Sequence, residues 1–224
     1  SKSGHREILA VEIAHTESEA TWGELFRQLQ ERGLTGVLLV VSDEHKGLVA
    51  AIRRYLQGAQ WQRCQKHFQQ NVKGLVPRKA QGELAQRLRD VFNAQTLEEA
   101  REILDRMIDD YQERYPKLAD KLDQDAEFAL TCFHFPAAHR KRIRTTNVLE
   151  RFNWGRPCNR EVFPKEINRR TNVIGIFPND RSCIRLISAL AMEQSEEWLT
   201  GIRYLDMSLL EEIDQPPIRV TGTD

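Results

Sequence analysis

The run Thr35-Gly-Val-Leu-Leu-Val-Val-Ser-Asp43 constrains the fold more than any other stretch. It is a continuous leucine and β-branched run ending in Ser-Asp, which is the pattern of a strand buried on both faces with its last residue emerging at the carboxyl edge. Amphipathic helical patterns flank it. The first covers about Glu19 to Glu31, with Thr16 or Ser18 as N-cap, Trp22, Leu25, Phe26 and Leu29 as its buried stripe, and Gly33 to close it. The second is Glu44–Leu56, and the short β-prone Ala59–Cys64 follows. Apolar Ile8, Leu9, Val11 and Ile13 predict a further strand over His5–Ala14. Strand, helix, strand, helix, strand is the grammar of an α/β domain.

A long helical stretch follows, roughly Gln65 to Gln124, punctuated by Pro77 and Pro116, and Ser182–Leu199 reads as another helix with Ile184, Ile187, Leu190, Ala191 and Trp198 inward. The chain divides into residues 1–63 as the first part of an α/β core, 64–136 as a helical insertion, 137–213 as the rest of the core, and 214–224 as a flexible tail.

Charge is informative by its distribution. Lys and Arg total 33 and Asp and Glu total 33, so the formal net charge is zero. From His139 to Arg170, however, Arg140, Lys141, Arg142, Arg144, Arg151, Arg156, Arg160, Lys165, Arg169 and Arg170 face only Glu150, Glu161 and Glu166. Such a segment grips phosphates or is a solvated helix face. The scattered Cys64, Cys132, Cys158 and Cys183 suggest no disulfide framework and a reducing cytoplasm, and no apolar run is long enough to cross a membrane.

Three features could carry chemistry. Asp43 at a strand's carboxyl end stands where open α/β sheets place their sites, or it caps the helix that follows. Glu150 in Thr-Thr-Asn-Val-Leu-Glu is a helix-borne carboxylate or the acidic member of a capping box. Cys64 and His67 share one helical face. They would support the fold, or hold zinc if Cys132 with His134 or His139 supplied two more ligands.

The ordered set GHREILAVEI, ESEATWGELFRQLQERGLTGVLLVVSDEHKGL, AQWQRCQKHFQQNV, RTTNVLERFN, RRTNVIGIFPN and LISALAMEQSEEW, spread over nearly the whole chain, resembles the mutator-type transposases of bacterial insertion sequences. The resemblance implies a ribonuclease H-like core with an Asp-Asp-Glu triad and a helical insertion between the second Asp and the Glu. It implies Asp43 as the second Asp, Glu150 as the triad Glu, Cys64 and His67 as a site-supporting CxxH element, and Asn147 and Arg151 as neighbours of the Glu. The implied cofactor is Mg²⁺, with Mn²⁺ able to substitute, held by Asp43 and Glu150. DNA would be the partner, both terminal inverted repeats and target, gripped by Arg140, Lys141, Arg142, Arg144, Arg151, Arg169 and Arg170. Homo-oligomers or full-length transposase subunits, and a cytoplasmic, nucleoid-associated location, are implied as well.

Two departures from the family pattern point to impaired activity. The first triad Asp of the family lies on a strand upstream of the Gly-His-Arg-Glu motif, which begins here at Gly4. Residues 154–165, with Gly155, Pro157 and Pro164, stand where about one residue is expected and break the helix that should join Glu150 to Arg169 and Arg170. A catalytically inactive DNA-binding or subunit-interacting fragment is the competing expectation, and a general nuclease of the same fold a minor one.

Overall fold

The computed structural model describes residues 1–14, 16–146 and 179–211. The fold is mixed α/β and mostly helical. Its elements are α1 (Glu19–Glu31), β1 (Leu39–Ser42), α2 (Lys46–Tyr55), β2 (Gln60–Arg63), α3 (Gln65–Lys73), α4 (Gln81–Phe92), α5 (Leu97–Gln112), α6 (Pro116–Asp125), α7 (Ala137–Ile143), α8 (Asp180–Thr200) and the short α9 (Ser208–Glu211). Single 3₁₀ turns occupy Arg78–Ala80, Glu127–Ala129 and Thr131–His134.

The described residues fall into two compact units. One contains residues 1–35, 46–56 and 179–211, and the other residues 36–45 and 57–146.

In the first unit α1 packs on α2. Ser18 caps α1 by accepting from the Thr21 N–H at 3.2 Å. Gly23 lets the helices approach: a methyl there would overlap the Tyr55 ring. Phe26, Leu48, Ala51 and Ile52 are buried. The strand expected over His5–Ala14 does not form. No described segment offers it a backbone ladder. Its polar groups turn to side chains instead, the Ile8 N–H donating to Ser195 Oγ (3.1 Å) and Arg32 donating to the Leu9 carbonyl (3.0 Å). Ile8 and Val11 pack against Leu190 and Ala191 of α8. Ile184, Ile187 and Trp198, expected inward on α8, are only half-buried. The Trp198 ring instead carries the Arg6 guanidinium 4.2 Å from its centroid.

The second unit holds the described sheet, two parallel strands in the register Leu39↔Gln60, Val40↔Trp61, Val41↔Gln62 and Ser42↔Arg63. A parallel pair needs a crossover, which residues 43–59, with α2 among them, supply. The strand expected to be buried on both faces is half-buried along Leu39–Val41, and Leu38 is 51% exposed. Two strands cannot cover one another as the middle of a wide sheet would.

β2 is covered instead by the turns at Glu127–His134. Buried Gln62 donates to the Ala129 carbonyl (2.8 Å) and accepts from the Cys132 N–H (2.5 Å), while Gln65 donates to the same Ala129 carbonyl (2.9 Å) and Thr131 Oγ1 to the Trp61 carbonyl (2.9 Å). These side chains pair backbone groups that would otherwise be buried unsatisfied. Around them α3–α6 form one apolar core, including Phe68, Leu84, Leu88, Met107, Leu118 and Leu122. The expected helical stretch from Gln65 to Gln124 is thus four helices, with breaks at Gly74–Pro77, Asn93–Thr96 and Glu113–Tyr115.

Candidate functional site

The site is built at the carboxyl edge of the β1–β2 pair. Ser42 and Arg63 are the last paired residues, so Asp43 and Cys64 leave the sheet side by side. The Cys64 N–H donates to the Ser42 carbonyl at 2.6 Å. Ser42 is buried, and its hydroxyl accepts from Trp61 Nε1 (2.9 Å) and donates to the Asp43 carbonyl (2.8 Å). The Asp43 backbone is therefore fixed while its side chain stands exposed.

Asp43 does not cap a helix. α2 begins three residues later at Lys46, and no backbone N–H among the described residues donates to the Asp43 carboxylate. Nor does any described cation pair with it. The arrangement leaves a hard-oxygen ligand, of the kind Mg²⁺ takes, open at a strand end. Among the described residues no group of three or more His, Cys, Asp or Glu is placed to hold a metal ion. The zinc alternative through Cys64 and His67 therefore finds no ligand set there.

Cys64 has another role. It is fully buried, and its sulfur accepts from the Thr146 N–H (3.4 Å) and lies 3.3 Å from Thr146 Oγ1. The neighbouring Gln65 N–H donates to the Arg144 carbonyl at 3.0 Å. The segment Arg144–Thr146 is thereby fastened beside the strand ends, and Asn147 follows directly in the chain. His67 lies half-buried on the first turn of α3, three residues on from Cys64. Asn147, Glu150, Arg151, Arg169, Arg170 and the insertion at 154–165 lie outside the described residues, as do Trp154 and the tail from 214.

An unexpected element is Arg63, whose side chain is 1% exposed. Its guanidinium bonds Asp125 of α6 at 2.8 Å and also pairs with Glu44, the residue after Asp43. Lys121 joins in, 3.5 Å from Glu44 and paired with Asp125. The Arg63 guanidinium carbon lies 5.0 Å from the Phe68 ring centroid. Two cations and two carboxylates thus lock the chain on the far side of Asp43 to the helical block. An arginine in a strand reads as surface charge in a sequence.

The basic residues of α7 divide into two kinds. Arg140 donates to the Gln95 carbonyl (2.7 Å), with its guanidinium 4.8 Å from the Phe133 ring centroid, and Arg144 donates to the Phe92 carbonyl (3.1 Å) and Asn93 Oδ1 (3.0 Å). Both serve carbonyls around the C-terminus of α4, where cations are favourable. Lys141 and Arg142 are exposed. Burial pushes the Cys132 thiol up to about 11 and lowers the His134 imidazole, so neither is set up as a nucleophile or a charged ligand at neutral pH.

Comparison with known proteins bears on this geometry. The family described as "Transposase, Mutator family" matches residues 1–201. The chain is 43% identical over 207 residues to the transposase for insertion sequence element IS406 of Burkholderia multivorans, covering 92% of this chain and 50% of that protein. It is 42% identical over 209 residues to the transposase for ISRM5 of Rhizobium meliloti, covering 93% and 50%. It is 39% identical over 204 residues to the transposase for IS256 in transposon Tn4001 of Staphylococcus aureus, covering 90% and 49%. The chain spans about half the length of these relatives. By the extent of the family match and by these identities, the chain belongs to the Mutator family of transposases.

Proposed function

We propose that this chain carries the second and third carboxylates of an insertion-sequence transposase, Asp43 and Glu150, on a ribonuclease H-like core, and that its reaction is DNA strand cleavage and strand transfer at element ends. One observation supports this most: Asp43 is exposed at the carboxyl edge of β1, and Cys64, in register beside it, holds Thr146, four residues before Glu150 in the chain. The CxxH element thus serves as a fastener between two catalytic segments.

Asp43 and Glu150 would hold Mg²⁺ through carboxylate oxygens. When bound, such ions stabilise the attacking and leaving oxygens of an in-line displacement at phosphorus. The chain's own part is to hold the Asp43 backbone in place from both sides, through the Ser42 hydroxyl and the Glu44–Arg63 pair, so that the carboxylate stands at a fixed point of the strand end. Lys141 and Arg142, exposed on α7 just upstream of Thr146, would bind DNA backbone, together with Arg151, Arg169 and Arg170. The partners proposed are the terminal inverted repeats, target DNA and further transposase subunits, in a cytoplasmic setting. No described helix is long and apolar enough to cross a membrane.

Activity would be impaired by residues 154–165, which stand in the sequence between Glu150 and the basic pair Arg169 and Arg170. A second reading is a catalytically inactive DNA-binding or subunit-interacting chain.

A strand-nicking assay separates the two. Purified chain is mixed with labelled duplex carrying element ends and Mg²⁺ or Mn²⁺, beside Asp43→Asn and Glu150→Gln. Weak nicking, stronger with Mn²⁺ and lost in both variants, is expected. Nicking that persists in either variant overturns the assignment, and folded chain that binds duplex without nicking it favours the second reading.

A further inference from the structure

The acids of this chain leave a gap. Between Glu44 and Glu83 there is no Asp or Glu at all, while Lys46, Arg53, Arg54, Arg63, Lys66, Lys73, Arg78 and Lys79 fall in the interval. Arg54 is paired with Glu19 and Arg63 is buried. The remainder within the second unit gather on one element and the corner after it.

α3 buries Gln65, Phe68 and Val72. Lys66, Gln69, Gln70 and Lys73 recur at helical spacing on the other side, a stripe whose charged and amide groups are all hydrogen-bond donors. The corner that follows is fixed. The Leu75 N–H donates to the Val72 carbonyl (3.0 Å), the Ala80 N–H to the Pro77 carbonyl (2.9 Å), and Gln81 Nε2 to the Lys73 carbonyl (3.1 Å). Val76 and Ala80 anchor the corner in the apolar core. Arg78 and Lys79 project from it exposed, next to the end of α3. Lys73, Arg78 and Lys79 have no acidic partner among the described residues.

Position gives the stripe its meaning. α3 starts at Gln65, directly after Cys64, whose N–H is bonded to the Ser42 carbonyl beside Asp43. Nine helical residues extend about 13 Å, the axial length of roughly four phosphates on one strand of a duplex. We propose that Lys73, Arg78 and Lys79 form a DNA-backbone contact tract that leads away from the Asp43 edge and holds the duplex flanking the phosphate under attack. The inference rests on the transposase reading and adds to the α7 basic residues a second, separate grip. Its contacts go to phosphates, so it positions DNA without reading sequence.

The test is fluorescence anisotropy with a labelled 30-base-pair duplex across 50 to 200 mM salt. The wild-type chain is compared with Lys73→Gln/Arg78→Gln/Lys79→Gln and with the double variant Arg78→Gln/Lys79→Gln, whose two positions are exposed. Loss of three phosphate contacts lowers the slope of log affinity against log salt by about 2.7, so the triple variant loses about 40-fold less affinity than the wild type over that range. The double variant should show about two-thirds of that slope difference from the wild type. Unchanged slopes in folded variants, with wild-type binding intact, overturn the tract and leave the transposase reading standing. A wild-type chain that binds no duplex overturns both. Tighter binding of single-stranded RNA than of duplex overturns the assignment of DNA as the occupant.

Discussion

Replacing Arg63 with Met removes the cation on which two carboxylates converge. Arg63 is 1% exposed, Asp125 14% and Glu44 35%. Breaking a buried pair by deleting one partner costs about 3–5 kcal/mol, because the partner is left charged and desolvated. Lys121 still reaches Asp125, and Glu44 is exposed enough for water to screen it, so the low end applies: about 3 kcal/mol, nearly all from Asp125. Methionine keeps part of the contact with Phe68. Urea denaturation with an m value of about 2–3 kcal/mol/M should then show the midpoint falling by about 1 M or more. Glu44→Gln should cost only about 0.5 kcal/mol. The double variant Arg63→Met/Asp125→Leu should regain most of the loss, since two apolar groups need no counter-charge. Amide exchange at residues 43–46 should quicken in Arg63→Met and not in Lys121→Met. A single variant within about 0.5 kcal/mol of wild type, or a double variant no better than the single, would refute this reasoning.

Other perturbations test other parts. Cys64→Ala removes the acceptor for the Thr146 N–H and leaves a small void. It should cost about 1–2 kcal/mol and expose the Thr146 amide to exchange, read by native-state hydrogen exchange. Gly23→Val drives a side chain into the Tyr55 ring and should cost about 1–3 kcal/mol in thermal or urea unfolding. The His134 imidazole is held below its ordinary value by burial, so the unfolded chain binds the proton more readily. Stability should therefore be full above about pH 6.5 and fall as pH drops below it, and His134→Gln should flatten that fall. Buried Cys132, with its thiol at about 11, and buried Cys64 should resist iodoacetamide at pH 8 while half-buried Cys183 reacts, as mapped by peptide mass spectrometry.

The local grammar of this fold is legible in its sequence wherever a helix carries its own signals. Ser18 and Gly33 mark the ends of α1, and Gly33 indeed adopts φ +100°, while of the expected buried stripe Phe26 is buried and Trp22, Leu25 and Leu29 are half-buried. β1 and β2 announce themselves by β-branched and aromatic content, and Asp43 by its place after the first of them. What sequence could not show is pairing. His5–Ala14 has strand composition, but a strand exists only with a ladder partner, and among the described residues it has none. Arg140 and Arg144 read as members of a basic run, yet the carbonyls they serve lie some 45 to 52 residues away in sequence. Arg63 and Asp125, 62 positions apart, could be joined only by folding α6 back onto β2. The acid-free interval from residue 45 to 82 was open to view, but its eight cations are spaced widely enough that no short window looks basic.

The central claim, that Asp43 and Glu150 form one metal site, is tested most directly by titrating the wild-type chain, Asp43→Asn and Glu150→Gln with Mn²⁺ under electron paramagnetic resonance, with Mg²⁺ as competitor. The account predicts one weak site in the wild type, displaced by Mg²⁺ and lost equally in both variants. Binding that survives either substitution, or a wild-type chain that takes up no Mn²⁺, would contradict it.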